Sequence, residues 1–439
     1  MLKQILFSLS LLITIGIFTW TALKYIKLFK LTKALPIKDY PAHFKTMMQV
    51  AFGQTKIFRR PLVGLIHALV FWGFLLILIG SIEMVIDGLF GSERILGFMG
   101  GFYNFLFAFS DIMALFIAGA MIVFLFRRIV LKVKRFEGTE MTHKSHMDAN
   151  VALTIILLLM ISLLGMNTFY IVEKSISNAE ITGVYPVSEY LAGFFTNMSY
   201  HAAHTAHEIN WWAHILLIFF FANYLPYSKH FHVYMSIPNV FLSRLEPLGQ
   251  LYNMESITKE VKLMMDPDTA FADPPEDEEE AERFGVKDIE DITWKNYMDS
   301  LACTQCGRCT DVCPANQTGK LLSPRKIIMN VRARMEEKGP EMIKNGKDFD
   351  DTKSLIRDYI SEEELWACTT CNACAQECPI NINHPSIIID LRRYLVMEES
   401  AAPSELNTIF QNIENNGAPW QYPQDDRMNW AQDLEIQTK

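Results

Sequence analysis

The chain has 439 residues, of which 50% are hydrophobic and 20% are charged, and its mean hydropathy is +0.13. That average is too apolar for an ordinary soluble protein and too charged for a pure membrane bundle, so two unlike parts are expected. The net charge of −9 comes almost entirely from residues 266–291, and no basic stripe with interleaved aromatic residues lies away from the membrane-flanking segments, which argues against nucleic-acid binding.

Five apolar stretches lie in the first 230 residues, and a helix needs about 20 apolar residues to cross the hydrocarbon core of a bilayer. We therefore predict a five-helix transmembrane domain over residues 1–240. The predicted spans are roughly Ile5–Leu23, Leu62–Ile86, Phe102–Phe126, Val151–Ile171 and Ala203–Leu225.

The loops predict the orientation of these helices. Residues 24–60 hold nine Lys or Arg residues and one acid, and residues 127–144 hold six more basic residues. By the positive-inside rule the N-terminus lies outside and the chain leaves the fifth helix in the cytoplasm, which predicts a multi-pass protein of the bacterial cytoplasmic (inner) membrane. The first stretch has no small-residue cleavage site and four lysines follow it, which favours a membrane anchor over a signal peptide.

Histidines in the predicted spans are candidate haem ligands, because polar groups are costly in lipid and are often functional there. His67 lies about two turns into the second helix, and His232 lies at matching depth just past Pro226. This pair predicts bis-imidazole ligation of a haem b held between helices. His214 lies 18 residues before His232, or five turns if the helix continues through Pro226, and would suit a second haem.

Two features weaken the case for a second haem and for further ligands. The second helix carries Ile77, not histidine, ten residues after His67. A single membrane histidine can also act as polar glue between helices. The remaining histidines are interpreted as interfacial or solvated, with His43 among the solvated ones.

The segments Trp211–His214 and Pro226–His232 resemble the last helix of the cytochrome b subunit of respiratory nitrate reductase. They are closer still to the membrane cytochrome of heterodisulfide-reductase-type complexes. The resemblance implies electron exchange with menaquinone, ubiquinone or a related membrane carrier.

Residues 241–292 are predicted to form an amphipathic and acidic linker. Residues 266–291 carry twelve acidic residues against Arg283 and Lys287, a composition typical of a solvated, mobile connector. The alternative is an acidic docking surface for a basic partner.

Residues 293–400 contain all eight cysteines, in two runs of the form C-x2-C-x2-C-x3-C-P. This run is typical of bacterial ferredoxins, in which the fourth cysteine of each run binds the other [4Fe–4S] cluster. Zinc, the alternative for paired C-x2-C motifs, is disfavoured by two complete runs with proline after each. We predict two clusters with crossed ligation, the first held by Cys303, Cys306, Cys309 and Cys378 and the second by Cys368, Cys371, Cys374 and Cys313.

The roughly fifty residues between the two runs carry helical spacing, so an α-helical ferredoxin-like domain is expected. Segments such as 284–294, 306–314 and 384–393 resemble the iron–sulfur subunits of heterodisulfide-reductase-type oxidoreductases. In fused members of that family, Cys-Cys-Gly domains follow. The resemblance therefore implies that these domains belong to a partner subunit, for which residues 401–439, and Gly417–Trp430 in particular, are a candidate docking segment.

Together these features predict a mainly α, membrane-bound subunit of a quinone-linked oxidoreductase that is not active alone. Electrons would pass from a cytoplasmic donor through two [4Fe–4S] clusters and haem b to quinone. The resemblance suggests electron-transferring flavoprotein as the donor, with thiol–disulfide couples as the alternative. A membrane-anchored iron–sulfur protein for biogenesis or redox sensing is a second class, and a transporter is a third, disfavoured by the lack of internal repeats.

Overall fold

A computed structural model describes residues 1–266 and 283–432. This part of the chain is helical, and in place of strands it has two isolated β-bridges, Lys33 with Thr293 and Ile356 with Ile360. The predicted mainly α fold class is confirmed. The chain divides into one compact unit of Met1–Leu251 and Asp288–Pro385 and a second made from the described parts of Tyr252–Lys287 and Ser386–Lys439.

The described residues form a succession of α-helices joined by short turns. In chain order the helices are α1 (Leu2–Phe29), α2 (Tyr40–Met47), α3 (Pro61–Phe90), α4 (Gly101–Ile129), α5 (His143–Ser177), α6 (Pro186–Ala192), α7 (Tyr200–Tyr224), α8 (His232–Phe241), α9 (Glu255–Met265), α10 (Trp294–Ala302), α11 (Arg308–Asp311), α12 (Pro314–Gln317), α13 (Pro324–Asn345), α14 (Glu362–Trp366), α15 (Ala373–Glu377), α16 (His384–Met397) and α17 (Ser404–Asn416). Short 3-10 or π segments occupy Met48–Phe52, Ile57–Arg59, Ile95–Met99, Lys134–Phe136, Gly193–Phe195, Leu225–Tyr227, Lys229–Phe231, Leu355–Tyr359 and Gln424–Ala431.

Helices α1, α3, α4, α5 and α7 are long and apolar enough to cross a membrane, and they form the membrane bundle of the first unit. The five predicted spans are confirmed as helices. Helix α5 is the most buried and packs against α4, α6 and α7, whereas α1 lies on the outside of the bundle. Glycines allow close packing: a Cβ at Gly88 of α3 would lie 2.7 Å from the ring of Phe7 in α1.

The last membrane helix does not continue through Pro226. Helix α7 ends at Tyr224, two short 3-10 turns follow, and α8 begins at His232. Proline has no N–H to donate and clashes with the preceding turn, so the chain changes direction at this point. The condition under which His214 and His232 would share one continuous helix is therefore not met.

Residues 288–385, the cysteine domain, contain α10 to α15 and belong to the same unit as the membrane bundle. Hydrogen bonds join the two parts at one end of the bundle. Lys33 N donates to Ile292 O at 2.8 Å, and Trp294 N donates to Lys33 O at 3.1 Å. The guanidinium of Arg332 reaches the carbonyls of Pro226 and Ser228 beyond α7. We call this the near end of the bundle, and the opposite end the far end.

The second unit comprises α9, most of α16, α17 and a C-terminal 3-10 segment. Val286 N donates to Asp390 O at 3.0 Å. Only glycine fits at position 285, because its φ is +75° and a Cβ would lie 2.3 Å from that oxygen. In the predicted docking segment, Trp420, Met428 and Trp430 are exposed. The acidic run 276–280 lies outside the described residues, as do residues 433–439.

Candidate redox centres

The two cysteine runs adopt the same local backbone shape. In the first, Gln305 and Gly307 have positive φ angles of 55° and 75°; in the second, Thr370 and Asn372 have positive φ angles of 55° and 59°. These residues stand two and four positions after the first cysteine of each run, so each loop turns in the same way around its cysteines. Glycine is required at 307, because a Cβ there would lie 2.1 Å from the carbonyl oxygen of Arg135.

The fourth cysteine of each run lies beside the cysteines of the other run. Burial, followed by the charge of Cys306 and then that of Cys303, raises the pKa of the Cys378 thiol to about 12. Burial also raises the pKa of the Cys313 thiol, and Cys368 and Cys371 add to this shift. The packing of α11 against α15 brings the two runs together. The electrostatic interactions of Cys378 are thus with the first run and those of Cys313 are with the second, as crossed ligand sets would require.

The donor set fits an iron–sulfur cluster better than a single metal ion. Among the described residues, no three His, Cys, Asp or Glu side chains converge on one point as ligands of a single ion would. A zinc site needs four ligands converging on one ion, whereas a [4Fe–4S] cube binds each thiolate at a different corner. Buried thiols that raise one another's pKa also favour a cationic metal centre, because metal coordination removes the proton.

His67 and His232 interact electrostatically at the near end of the bundle. His67 is six residues from the start of α3, and His232 is the first residue of α8. Burial, followed by His230 and His67, lowers the pKa of His232 to about 3. Within the described residues, the Nδ1 atoms of both His67 and His232 are buried without a hydrogen-bond partner. Two buried imidazoles on different helices that interact electrostatically suit the axial ligation of a haem.

His214 is apart from this pair, buried in the middle of α7. Its Nδ1 lies 3.0 Å from the carbonyl oxygen of Leu159 and 3.0 Å from the hydroxyl of Ser162. A carbonyl oxygen only accepts, so Nδ1 carries the proton and the neutral ring presents Nε2 as an acceptor. Ile77 and His214 line the same cavity.

His43 is buried, although the sequence predicted a solvated residue. Its ring lies 5.9 Å from that of Phe241, because α2 packs against α8. The amphipathic pattern around residue 241 indicated that this segment has an apolar face. It did not indicate that α2, which carries His43, packs against that face.

Two buried basic side chains, Arg308 and Lys229, link the cysteine domain to the region of the histidines. The sequence analysis did not select either residue. Arg308 donates to the carbonyls of Lys56 and Ile57 at 3.0 and 3.3 Å, and it interacts electrostatically with both Cys306 and His67. The sequence could have indicated Arg308, because this residue directly precedes Cys309.

Lys229 connects the same two regions by a different route. Its ammonium donates to the backbone oxygen of Ser145, whose hydroxyl contacts Gln305 in the first cysteine loop. Its backbone N–H donates to Asp148 at 2.9 Å. Burial lowers the pKa of Lys229 to about 7. The sequence could have indicated Lys229, because this residue lies three positions before His232.

The comparisons with known proteins agree with this chemistry. Residues 299–382 match the 4Fe-4S dicluster domain family. The chain is 32% identical to the probable iron-sulfur-binding oxidoreductase FadF of Bacillus subtilis, over 88% of this chain and 55% of that protein. It is 29% identical to the EtfAB:quinone oxidoreductase of Syntrophomonas wolfei, over 87% of this chain and 52% of that protein.

A third relative matches a much shorter part of the chain. This is one of the subunits of the ferredoxin/F(420)H(2)-dependent CoB-CoM heterodisulfide reductase of Methanosarcina acetivorans, 35% identical over 24% of this chain and 52% of that protein. No solved structure matches the chain. The chain spans about half the length of the curated relatives it matches most fully. The chain is therefore a relative of iron–sulfur oxidoreductases, with a 4Fe-4S dicluster domain and five helices long and apolar enough to cross a membrane.

Proposed function

We propose that this chain carries electrons between a cytoplasmic partner and the membrane quinone pool, through two [4Fe–4S] clusters and one haem b. One observation carries the proposal. The cysteine loops and the pair His67 and His232 lie at the same end of the membrane bundle, within one compact unit. Buried Arg308 lies between them, in electrostatic contact with both.

The proposed ligand sets follow the neighbours of each thiol. Cys303, Cys306, Cys309 and Cys378 would hold the first cluster, and Cys368, Cys371, Cys374 and Cys313 would hold the second. Bound at these sites, the clusters and the haem would supply carriers that take up and release one electron at a time.

The protein's own groups shape the electrostatics of these sites. The backbone N–H groups of Thr370 and Ile382 donate to the sulfurs of Cys368 and Cys378, both at 3.4 Å. Donation to a sulfur stabilises the negative charge that a cluster gains on reduction, and so tunes its potential. Cys371 is exposed, which marks the second site as the entry side for electrons from a partner.

The proposed direction is from a cytoplasmic donor to quinone. By the positive-inside rule, the basic loops support a cytoplasmic position for the cysteine domain. Reduction of one quinone to the quinol takes two electrons, delivered singly, and two protons from water. The name of the Syntrophomonas wolfei relative, EtfAB:quinone oxidoreductase, supports a quinone as acceptor and an electron-transferring flavoprotein as donor. The M. acetivorans relative is one subunit of a reductase, which supports action within a complex, with a Cys-Cys-Gly-domain protein as the proposed partner.

The decisive experiment combines cofactor analysis with spectroscopy on the purified full chain. Iron and acid-labile sulfide should correspond to two [4Fe–4S] clusters, and the reduced-minus-oxidised spectrum should show the α-band of one low-spin haem b. Clusters without haem would contradict the electron-transfer role in the membrane and leave an anchored iron–sulfur protein. A complex that reduces a disulfide and not quinone would assign the chain to thiol–disulfide chemistry.

A further inference from the structure

Arg135 has buried guanidinium nitrogens without hydrogen-bond partners. It lies in the 3-10 segment Lys134–Phe136, which follows α4. Among the described residues, its Nε and Nη1 atoms are buried and have no partner. Burying part of a charged group without a partner is strongly unfavourable, so this guanidinium calls for an anion that the polypeptide around it does not supply.

The backbone holds Arg135 directly against the first cysteine loop. A Cβ at Gly307 would lie 2.1 Å from the carbonyl oxygen of Arg135, so the two segments touch. The same oxygen accepts from Arg325 Nη1 at 2.8 Å, and Arg325 Nη2 donates to Glu137 O at 2.8 Å. Arg325 thereby fixes the segment on the cysteine domain, where the side chain of Arg135 interacts electrostatically with Cys306.

The carboxylates of this region pair with other basic side chains. Glu140 binds Arg325 at 2.7 Å, and Asp311 binds Arg60 at 2.6 Å. These acids are therefore already neutralised by partners of their own, which leaves the positive charge of Arg135 for another group.

The charge of Arg135 persists at neutral pH. Burial, together with the positive charges of Arg60 and Arg308, lowers the pKa of Arg135 to about 10, while the interaction with Cys306 acts in the opposite direction. A pKa of about 10 leaves the guanidinium protonated in the cell. A [4Fe–4S] core bound by four thiolates is anionic and gains a further negative charge on reduction, so it has the charge that this site lacks.

Basic side chains surround the cysteines proposed for the first cluster. Those that interact electrostatically with Cys303, Cys306 or Cys378 include Lys56, Arg128, Arg135, Lys229 and Arg308. At Cys313 and Cys374 of the second set, the largest electrostatic contributions come from other cysteines. The surrounding charge therefore favours the reduced, more negative state at the first site.

We propose that Arg135 donates its buried N–H groups to sulfur atoms of the first [4Fe–4S] cluster, and thereby raises the reduction potential of that cluster above that of the second. The inference rests on the proposed function and specifies the order of its carriers. Hydrogen bonds to the sulfurs and nearby charge are the means by which a protein tunes a cluster.

The proposed order makes electron transfer between the clusters favourable. One electron leaves the reduced second cluster, whose Cys371 is exposed, and reduces the first; no bond forms or breaks and no proton moves. Water near Cys371 also stabilises negative charge on the second cluster. The buried N–H groups of Arg135 act through a lower dielectric than water, so their effect on the first cluster is larger.

The test is a redox titration of the purified full chain, followed by electron paramagnetic resonance. Cys306→Ser identifies the signal of the first cluster, because Cys306 belongs to that cluster whether or not the ligand sets cross. In the wild type this cluster should be reduced at the higher potential. Arg135→Gln should lower its ratio of reduced to oxidised form at the wild-type midpoint roughly tenfold, which is about 59 mV for one electron.

Lys134→Gln is the matched control, since it removes a positive charge from the neighbouring but exposed side chain. Both cluster midpoints should stay at their wild-type values in this variant, because water screens an exposed charge. Arg135→Lys should give an intermediate midpoint, because it keeps the charge and loses the planar set of N–H donors. If Arg135→Gln does not assemble the first cluster, a wild-type midpoint in Arg135→Lys would contradict the proposal.

The remaining outcomes separate this inference from the proposed function. An unchanged first-cluster midpoint in Arg135→Gln would overturn the inference, as would a first cluster that titrates below the second in the wild type. A shift of the haem midpoint alone would assign the guanidinium to the haem and overturn it too. In all three cases, intact clusters and haem would leave the proposed function standing, whereas a chain that holds no clusters would reject both.

Discussion

Arg308 and Lys229 are buried basic side chains at the junction of the cysteine domain and the membrane bundle. Arg308 interacts with Cys306 and with His67, and Lys229 reaches the first cysteine loop through Ser145. A positive charge beside a redox centre stabilises its reduced, more negative form. Arg308 would therefore favour the reduced form of the cluster proposed at Cys306.

Replacing His67 with alanine tests the haem assignment. We expect His67→Ala to abolish the low-spin α-band in the reduced-minus-oxidised spectrum, because one axial ligand is lost. The iron–sulfur signals should stay, since His67 belongs to the bundle. His146→Ala, a partly exposed histidine on α5, is the control and should keep the band. A normal α-band in His67→Ala would exclude this residue as a ligand.

Replacing Cys378 with serine tests the crossed ligand sets. We expect Cys378→Ser to alter the electron paramagnetic resonance signal of the cluster held by Cys303, Cys306 and Cys309, because its thiol lies beside those residues. The matched variant Cys313→Ser should alter the other signal. If Cys378→Ser and Cys368→Ser changed the same signal, each cluster would take its four ligands from one run.

At the scale of elements, the two parts of the first unit are held together by charged side chains of the cysteine domain. Helix α13 carries Arg325, which pairs with Glu140 at 2.7 Å, and Arg332, which reaches the carbonyls after α7. The break at Pro226 leaves those carbonyls available, because in a continuous helix they would accept hydrogen bonds from backbone N–H groups one turn later. Helix α13 is thus positioned by the same interruption that starts α8 at His232.

A buried charge network on α13 should dominate the stability of the cysteine domain. Arg334 is fully buried and binds Asp288 and Asp351 at 2.6 to 2.7 Å. Arg334→Met would leave the buried Asp288 with Lys338 alone, and breaking a buried pair costs about 3–5 kcal/mol. We expect iron–sulfur absorbance to be lost at a clearly lower temperature on heating.

The control for this experiment is Lys353→Met. Lys353 pairs with Glu337 at 2.8 Å, but both side chains are exposed, and such pairs contribute about 0–1 kcal/mol. The heating curve of this variant should overlay that of the wild type. An equal effect in the two variants would show that the buried network has no special role.

At the scale of the whole molecule, the membrane bundle and the cysteine domain fold as one compact unit. The proposed binding sites serve electron carriers, and none of them holds a soluble organic substrate. In the proposed electron path a partner delivers electrons to the clusters, so turnover with a soluble donor is expected to need that partner.

The purified chain should not reduce quinone rapidly from reduced electron-transferring flavoprotein. Addition of a Cys-Cys-Gly-domain partner should restore turnover, because the partner would supply the contact with the donor. The measurement is quinone reduction in detergent with and without the second protein, with dithionite-reduced chain as the control for intact cofactors. Rapid turnover by the chain alone would show that it accepts electrons directly.

The number of membrane helices and the chemistry of the cysteine runs were determined by the sequence alone, because both depend on neighbours along the chain. About 20 apolar residues suffice to predict a span, and the C-x2-C-x2-C-x3-C-P spacing places three thiols on one loop. The pairing of His67 with His232 was predicted from depth alone, and it stays a prediction as a haem site.

Only the tertiary structure decided which distant residues meet. It brings Arg94 from a loop to the cavity that His214 lines, inserts Arg308 between a cysteine loop and His67, and buries His43 beneath α8. These contacts join residues far apart in the chain, so no local periodicity encodes them. They follow from how the helices pack, which depends on side-chain shape across the whole bundle and on the break at Pro226.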